Sequence, residues 1–508
     1  MDTTAHTSAS CLADLHALIA LYDDMRTHLD DGNDGPAIDT KPLDNWHTKA
    51  STLTQSKALE TLTGERKLEA LIMELRHLWL QAVHSRSSRY MMSPPQTQIK
   101  YLPGGDRVNY PYDRWLKPIN LENRLAGAWP TPKGWHKQSL LFASAMAAIT
   151  TFLQAYRGLA PQWWTELSAP QTLHWWGGYF EISKALQLVC DQRFIGRKHA
   201  TQDGLHKHMQ DGQTDLIVLE PVAAKLELDV FDLDSFVAAW SKRKSKRPAT
   251  LLIDTSLLGD TISMEDFCKR LNDQAPALIV EVRSGLKLDQ QGLELANAGL
   301  MNLWMPEHRD DKLDDIVNSL QISRTTLGTN LSHNELAALQ APLFLHADLL
   351  NTHTTAVFAA NRLFAEQLHP LIKPDTGVFD AVFHPSLGDN ARLPWAQSPF
   401  VNIRYRPDDD SARSFLNNVL DFESHRRKLC FWPASSFGFR SHRYEMGYGR
   451  DIKFNTLRVA LGARHGPSMH EVIKLFQELA RFSDFQDLRN AYPEVSTRMT
   501  PDQRDNDD

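Results

Sequence analysis

Apolar side chains recur at three- and four-residue spacing over residues 12–30, where Leu12, Leu15, Ile19 and Tyr22 share a face, and again over 66–82, with Leu68, Leu71, Ile72, Leu75, Leu78 and Trp79. A stripe with the helical period predicts two amphipathic helices. Between them Asp30-Asp31-Gly32-Asn33-Asp34-Gly35-Pro36 is polar and rich in breakers, which predicts a loop. From Met91 to Pro118 prolines, glycines and tyrosines are frequent. Proline neither continues a helix nor donates to a ladder, so this stretch suits an extended arm crossing a surface.

Beyond Trp135 the pattern changes. Leu216-Ile217-Val218-Leu219, Leu251-Leu252-Ile253 and Ala277-Leu278-Ile279-Val280-Glu281-Val282 are short apolar runs, separated by helix-length segments such as Leu233 to Trp240 and Met264 to Leu271. Continuous runs, without in/out alternation, predict parallel strands covered on both faces by the helices between them. Ser332 with Glu335 makes a capping-box pattern ahead of a helical stretch reaching about Leu368. Phe379 to Phe383, Phe400 to Tyr405 and Thr456 to Leu461 then read as strands, and Ser468 with Glu471 caps a helix from Met469 to Phe482. The expected class is α/β, with a mainly parallel large domain, a smaller C-terminal α+β domain and an N-terminal helical extension. The boundaries expected are 1–90 for the extension, 91–130 for the arm, 131–340 and 341–495 for the two domains, and 496–508 for a polar, disordered tail. No internal repeat is evident.

Composition narrows the function classes. The 508 residues are 42% apolar and 23% charged, the balance of a packed water-soluble protein. A net charge of −7, from 55 basic and 62 acidic residues, argues against a general nucleic-acid binder. The one locally basic run, Lys242 to Arg247, sits between a helical and a strand pattern and reads as a solvated loop. Cys11, Cys190, Cys268 and Cys430 are too scattered for a disulfide framework, which points to a reducing compartment. No apolar run is long enough to span a membrane, and Met1 to His6 lacks the basic and apolar regions of a signal peptide, so a cytoplasmic location without membrane contact is expected. No Gly-x-Gly-x-x-Gly or Walker lysine occurs. His206-Lys207-His208 has no carboxylate or thiol at ligand spacing; it reads as a solvated loop, and no metal is expected.

The candidate chemistry lies at strand ends. Asp254 closes the run Thr250-Leu251-Leu252-Ile253, and Lys287 follows the run ending at Val282. In a parallel α/β sheet ligands gather at the carboxyl ends of strands. An amine and a carboxylate together there are what a pyridoxal phosphate site requires, one for a Schiff base and one for the pyridinium nitrogen. The same residue types also end strands in many α/β proteins that bind no cofactor.

Over roughly residues 108–465 a series of segments resembles, in order, the fold type I pyridoxal phosphate enzymes of the Cys/Met-metabolism branch, which includes cystathionine γ-synthase, cystathionine γ-lyase and methionine γ-lyase. Tyr110-Pro111-Tyr112-Asp113-Arg114 is similar to that branch's Tyr-x-Arg arm, implying that Tyr112 and Arg114 reach the cofactor phosphate of a neighbouring subunit. Ser144-Ala145-Met146-Ala147-Ala148-Ile149 resembles its Ser-Gly-Met-Ala-Ala-Ile helix start, implying phosphate contacts from the amides of Ala145 and Met146, with alanine in place of glycine. Trp175-Trp176-Gly177-Gly178-Tyr179 resembles Tyr-Gly-Gly-Thr, which aligns Trp176 with the ring that stacks on the cofactor. An indole cannot relay protons, so Tyr179 is the candidate substitute. Glu220-Pro221 stands where the branch has Glu-x-Pro-x-Asn-Pro, without the asparagine. Asp254-Thr255-Ser256 resembles Asp-Asn-Thr, and Ser284-Gly285-Leu286-Lys287 resembles Ser-x-Thr-Lys, implying Asp254 for the pyridinium, Ser284 for phosphate and Lys287 for the covalent link. Pro433-Ala434-Ser435 and Leu457-Arg458-Val459 resemble the C-terminal segments, implying that Ser435 and Arg458 bind substrate, the arginine taking its carboxylate.

The resemblance thus implies a pyridoxal 5'-phosphate enzyme whose small-molecule substrate is an amino acid, with Lys287, Asp254 and Tyr179 catalytic. It favours β- or γ-elimination or replacement over transamination. Active sites shared across a homodimer, or a homotetramer of two dimers, follow from the arm. Arg440, His442 and Arg443 are candidates for the substrate's distal end. The rival expectation is a cofactor-free scaffold that kept the fold and binds a partner through its N-terminal extension.

Overall fold

The computed structural model describes residues 8–31, 39–87, 100–101, 106–108, 115–164, 167, 170–212, 214–245, 247–271, 275–447 and 455–495. Three helices open the chain: α1 (Ser8–Asp31), α2 (Lys41–Thr54) and α3 (Leu62–Ser87). The periodicity of Leu12 to Tyr22 and Leu68 to Trp79 lies within α1 and α3. Helix α2 was not foreseen, although Leu43, Trp46, Ala50 and Leu53 make a buried stripe at helical spacing. The three helices close a shared core that also takes in Leu293, Leu295, Ala337 and Ala338. A short antiparallel pair, β1 (Lys100–Tyr101) and β2 (Arg107–Val108), and helix α4 (Ile119–Gly127) follow.

Among the described residues the large sheet has seven strands: β3 (Trp135–Phe142), β4 (Gln171–Trp176), β5 (Phe194–Lys198), β6 (Leu216–Leu219), β7 (Thr250–Asp254), β8 (Leu278–Ser284) and β9 (Gly299–Pro306). Their order is β3-β9-β8-β7-β6-β4-β5. Only β9 runs antiparallel to its neighbours; the rest are parallel, as the apolar runs predict. Side chains alternate between the faces. Val218, Leu252 and Val280 pack with Phe152 and Tyr156 of α5 (Ala145–Trp163), beside which runs α6 (Phe180–Val189). Ile217, Leu251 and Ile279 pack on the other face with Leu205, Phe236 and Phe267, from α7 (Gln202–Gln210), α8 (Leu233–Trp240) and α9 (Met264–Leu271). Helices on both faces exclude water from every side chain of β6 and β9.

Helices α10 (Leu313–Leu327), α11 (His333–Ala338) and α12 (Ala347–Leu368) lead to the second sheet. Its five described strands are β10 (Phe379–Phe383), β11 (Val401–Tyr405), β12 (Phe431–Pro433), β13 (His442–Met446) and β14 (Thr456–Ala460), in the order β10-β11-β14-β13-β12. Phe364 of α12, with residues of α13 (Asp410–Arg427) and α14 (Pro467–Leu479), covers it. Two expectations at these junctions are corrected. The capping box at Ser332 and Glu335 forms, but its helix stops at Ala338, and α12 begins afresh at Ala347 after Leu345 turns into the left-handed region at φ 61°. Ser468 caps nothing: Gly466 precedes α14, while the Ser468 amide donates to Glu65 Oε2 at 2.8 Å and its hydroxyl accepts from the Cys430 amide. A long-range hydrogen bond overrides the local signal. No helix among the described residues is long and apolar enough to cross a membrane.

Candidate active site

Strand register gathers the candidate segments along one sheet edge. Phe142 pairs with Gly299, Gly299 with Ser284, Val282 with Asp254, Ile253 with Leu219 and Leu219 with Trp176. The chain therefore leaves this edge at Ser144, Gly177, Glu220, Ser256 and Lys287, at the carboxyl ends of strands where parallel α/β sheets bind ligands.

Lys287 lies in the turn between β8 and a short 3₁₀ segment, Leu288–Gln290. Its Nζ sits 4.1 Å from the centroid of the Phe437 ring. Burial pulls the amine down to about 8, a drop that the attraction of Asp254 opposes and the nearby Arg458 cation deepens. Asp254, at the end of the neighbouring strand, is pushed the other way: burial raises its carboxyl, while the Ser256 amide donating to Oδ1 at 2.9 Å and the Lys287 charge restrain it. The two turns are tied together, since the Ser284 amide donates to Ser256 Oγ at 2.9 Å.

The Gly177-Gly178-Tyr179 turn is shaped by Glu220. This buried carboxylate accepts from the amides of Tyr179 at 3.0 Å, Gly178 at 3.1 Å and Ala224 at 2.9 Å. Burial, with Asp254 nearby, nevertheless lifts it to about 7. A Cβ at position 177 would collide with the Glu220 carboxylate, which is why glycine stands there. Tyr179 donates its hydroxyl to Glu181 Oε2 at 2.6 Å, and burial and then this carboxylate raise the phenol above its ordinary value. The fields of Asp254 and Arg458 both reach it. Trp176 is turned into the core, its ring 4.8 Å from that of Phe231. Alternation along β4 sends that side chain under α7 and α8, whereas the Tyr179 ring meets Phe180 edge-on at 5.4 Å.

The second sheet supplies the opposite wall. Arg458 on β14 binds Glu445 Oε2 through Nη1 at 3.1 Å and lies 4.4 Å over the Phe400 ring. Its Nε is buried and without a hydrogen-bond partner among the described residues, as is the hydroxyl of Ser436. Ser435 is exposed and donates to Glu445 Oε1 at 2.8 Å. Phe400 and Phe437 pack with centroids 5.3 Å apart, linking the floor under Arg458 to the ring on Lys287.

Ser144 caps α5, accepting from the Ala147 amide at 3.0 Å, so the first-turn amides of Ala145 and Met146 lie in the half-buried opening of the helix. Gly299 permits the close approach, because a Cβ there would strike the Ser144 carbonyl. Tyr112 and Arg114 fall outside the described residues. Arg440, His442 and Arg443 are committed elsewhere. Arg440 is buried against Asp14 of α1, His442 is buried and accepts from the Gly462 amide at 3.0 Å, and Arg443 pairs with Glu294 at 3.1 Å. The sequence reading missed Glu181, Glu445, Phe400 and Phe437. Glu181 and Phe437 each stand two residues beyond a quoted motif and Phe400 opens a quoted strand, while Glu445 lies on β13; no local pattern marks any of the four for the site.

No protein-family model matches the chain, and no curated protein matches it. Solved structures do. The chain is similar to a methionine γ-lyase from Micromonospora echinospora at 16% identity and a TM-score of 0.52, over 76% of this chain and 93% of that one. It is similar to cystathionine γ-lyase from yeast at 16% identity and a TM-score of 0.53, over 78% and 98%. Cystathionine γ-synthase from Xanthomonas oryzae pv. oryzae matches at 16% identity and a TM-score of 0.50, over 76% and 93%. At such identities what is held in common is the architecture, and the chain has the α/β fold of the fold type I pyridoxal phosphate enzymes, with a second, smaller sheet at its C-terminal end.

Proposed function

We propose that the protein is a pyridoxal phosphate enzyme that removes the α-proton of an amino acid and then eliminates or replaces a group at its β- or γ-carbon. The observation that carries this reading is the convergence of a depressed amine, a buried carboxylate and an arginine with an orphaned Nε: Lys287, Asp254 and Arg458. The donor set fits the cofactor. Lys287 would hold its aldehyde, Asp254 its ring nitrogen, and Ser284 with the amides of Ala145 and Met146 its phosphate. Tyr112 and Arg114 would reach the phosphate of a neighbouring subunit, making a dimer the smallest active unit and a pair of dimers a tetramer.

Bound there, pyridoxal phosphate supplies an electron sink for the pair left at the substrate's α-carbon. The chain's own groups do the rest. An amine that titrates near 8 is a serviceable base close to neutral pH, so Lys287 Nζ takes the α-proton and returns it further along the substrate. Tyr179, its phenol held protonated, is a donor to a leaving group. The unpartnered Nε of Arg458 suits the substrate carboxylate, with Ser435 at the rim. With Trp176 committed to Phe231, Tyr179 is also the aromatic face offered to the cofactor ring.

One contact favours a second reading, a cofactor-free scaffold: the Phe437 ring packs directly on the Lys287 amine. Added pyridoxal phosphate separates the two. As an enzyme the purified protein turns yellow, borohydride fixes the label to the peptide containing Lys287, and Lys287→Ala abolishes both. A protein that stays colourless and unlabelled with excess cofactor is the scaffold.

A further inference from the structure

On the opposite side of the large sheet from β3, three histidines from three elements meet. His174 is on β4; His199 follows β5, its amide hydrogen-bonded to the Trp175 carbonyl at 2.8 Å; His208 is in the last turn of α7. The rings stand 5.0 Å, 5.0 Å and 5.1 Å apart, and one ring nitrogen of each lies within 4.8 Å of the others. His208, expected in a solvated loop without a metal, is in a helix, and its partners are His174 on β4 and His199 just past the end of β5.

We propose that His174, His199 and His208 bind one borderline first-row divalent cation of the Zn²⁺ or Co²⁺ kind, independently of the Lys287 site. Three neutral imidazoles leave the fourth position of a tetrahedral ion to water, and imidazole suits these metals where carboxylate-poor sites do not suit Mg²⁺ or Ca²⁺. With metal–nitrogen bonds of about 2.0–2.1 Å, ligand nitrogens stand about 3.3 Å apart. His174 Nδ1 and His199 Nε2 are 2.7 Å apart, so the ion replaces the proton they share and spreads the pair slightly. The His208 Nδ1 hydrogen bond to the Gly204 carbonyl, at 2.8 Å, leaves Nε2 for the metal and fixes the ring, as outer hydrogen bonds do at metal sites. His174 is 1% exposed and forms the floor; the other two are half-exposed and form an open mouth. Arg197 stands 3.5 Å from His208 Nε2 and must swing outward, which its exposed side chain permits. The ion would pin edge strand β5 and helix α7 to β4.

The test uses full-length protein stripped with EDTA and titrated with Co²⁺, read by the visible absorption of the tetrahedral ion, then displaced with Zn²⁺. One Co²⁺ per chain is expected, together with a rise in melting temperature on adding Zn²⁺. His199→Gln and His208→Gln should each weaken binding by at least ~10-fold and abolish that rise, since lost ligands cost more than lost outer partners. His206→Gln, two residues earlier on α7 and packed against Phe231, should change neither. Both lesions lie at the open mouth, and circular dichroism without metal reports whether each variant is folded; either one suffices. Absence of a stoichiometric Co²⁺ spectrum, or one unchanged in a folded His199→Gln or His208→Gln protein, overturns the proposal in favour of a metal-free histidine stack.

Discussion

Glu220 accepts three backbone amides and still titrates near 7, because burial penalises its charge more than those bonds reward it. Its folded pKa stands above the unfolded value of 4.5, so its contribution to stability is complete below about 4.5 and is lost as pH rises through about 7. Glu220→Gln sets an NH₂ group against an amide donor and should cost about 1–3 kcal/mol in acid. In urea denaturation at successive pH values, the gap between wild type and variant should narrow from pH 5 to pH 8; a constant gap would show that Glu220 stays charged throughout. Lys287 carries the opposite sign for a base. Its folded pKa is depressed to about 8, so its burial opposes folding below that value and the penalty fades as pH approaches 10.5. In protein freed of cofactor, Lys287→Met should therefore raise the urea midpoint at pH 7 and not at pH 10.5, the mark of a residue kept for chemistry and not for stability. At this scale the legible residues were those whose chemistry is announced by position, Lys287 and Asp254 at the ends of apolar runs. Glu445 and Phe437 were not, since what makes them matter is contact across two sheets.

Elements followed the local pattern wherever the burial demand is set by residues close in sequence. The runs at Leu216–Leu219 and Phe379–Phe383 and the segments Leu233–Trp240 and Met264–Leu271 match their elements end to end. Patterns failed where a distant group competes for a local signal, as at Ser468. Asn361 of α12 is such a group. Its Nδ2 donates to the Leu461 carbonyl at 2.8 Å and its Oδ1 accepts the Leu461 amide at 2.9 Å, clamping the end of β14 just past Arg458. Asn361→Leu leaves two buried backbone groups unpaired and should cost about 2–4 kcal/mol by chemical denaturation. If Arg458 binds the substrate carboxylate, the same variant should raise KM more than it lowers kcat.

The N-terminal helices are joined to the rest by a buried charge cluster. Asp14 of α1 takes both Arg440 and Arg464, the latter through Nε at 2.9 Å, and Arg464 also meets Glu69 at 3.1 Å. Arg440 in turn donates to the Gln291 carbonyl at 3.1 Å, just past the Lys287 turn. Asp14→Asn strands two buried guanidinium groups short of an anion and should cost about 3–5 kcal/mol. The loss should appear as early protease cleavage within residues 1–87 and as weaker pyridoxal phosphate retention. Unchanged proteolysis with normal cofactor retention would make the helices an independent appendage.

By itself the amino-acid sequence determined the alternation of buried strands and amphipathic helices, and with it a parallel sheet carrying an amine and a carboxylate at its carboxyl edge. These depend on spacing within a few residues, which the burial of one helix face or of both strand faces dictates directly. Only the tertiary structure decided that Trp176 faces the core while the Tyr179 hydroxyl meets Glu181, that Arg458 meets Glu445 and keeps Nε unpaired among the described residues, and that three histidines share a corner. Each depends on which strands become neighbours and which way a side chain leaves its strand, and those are settled by long-range packing across the whole chain.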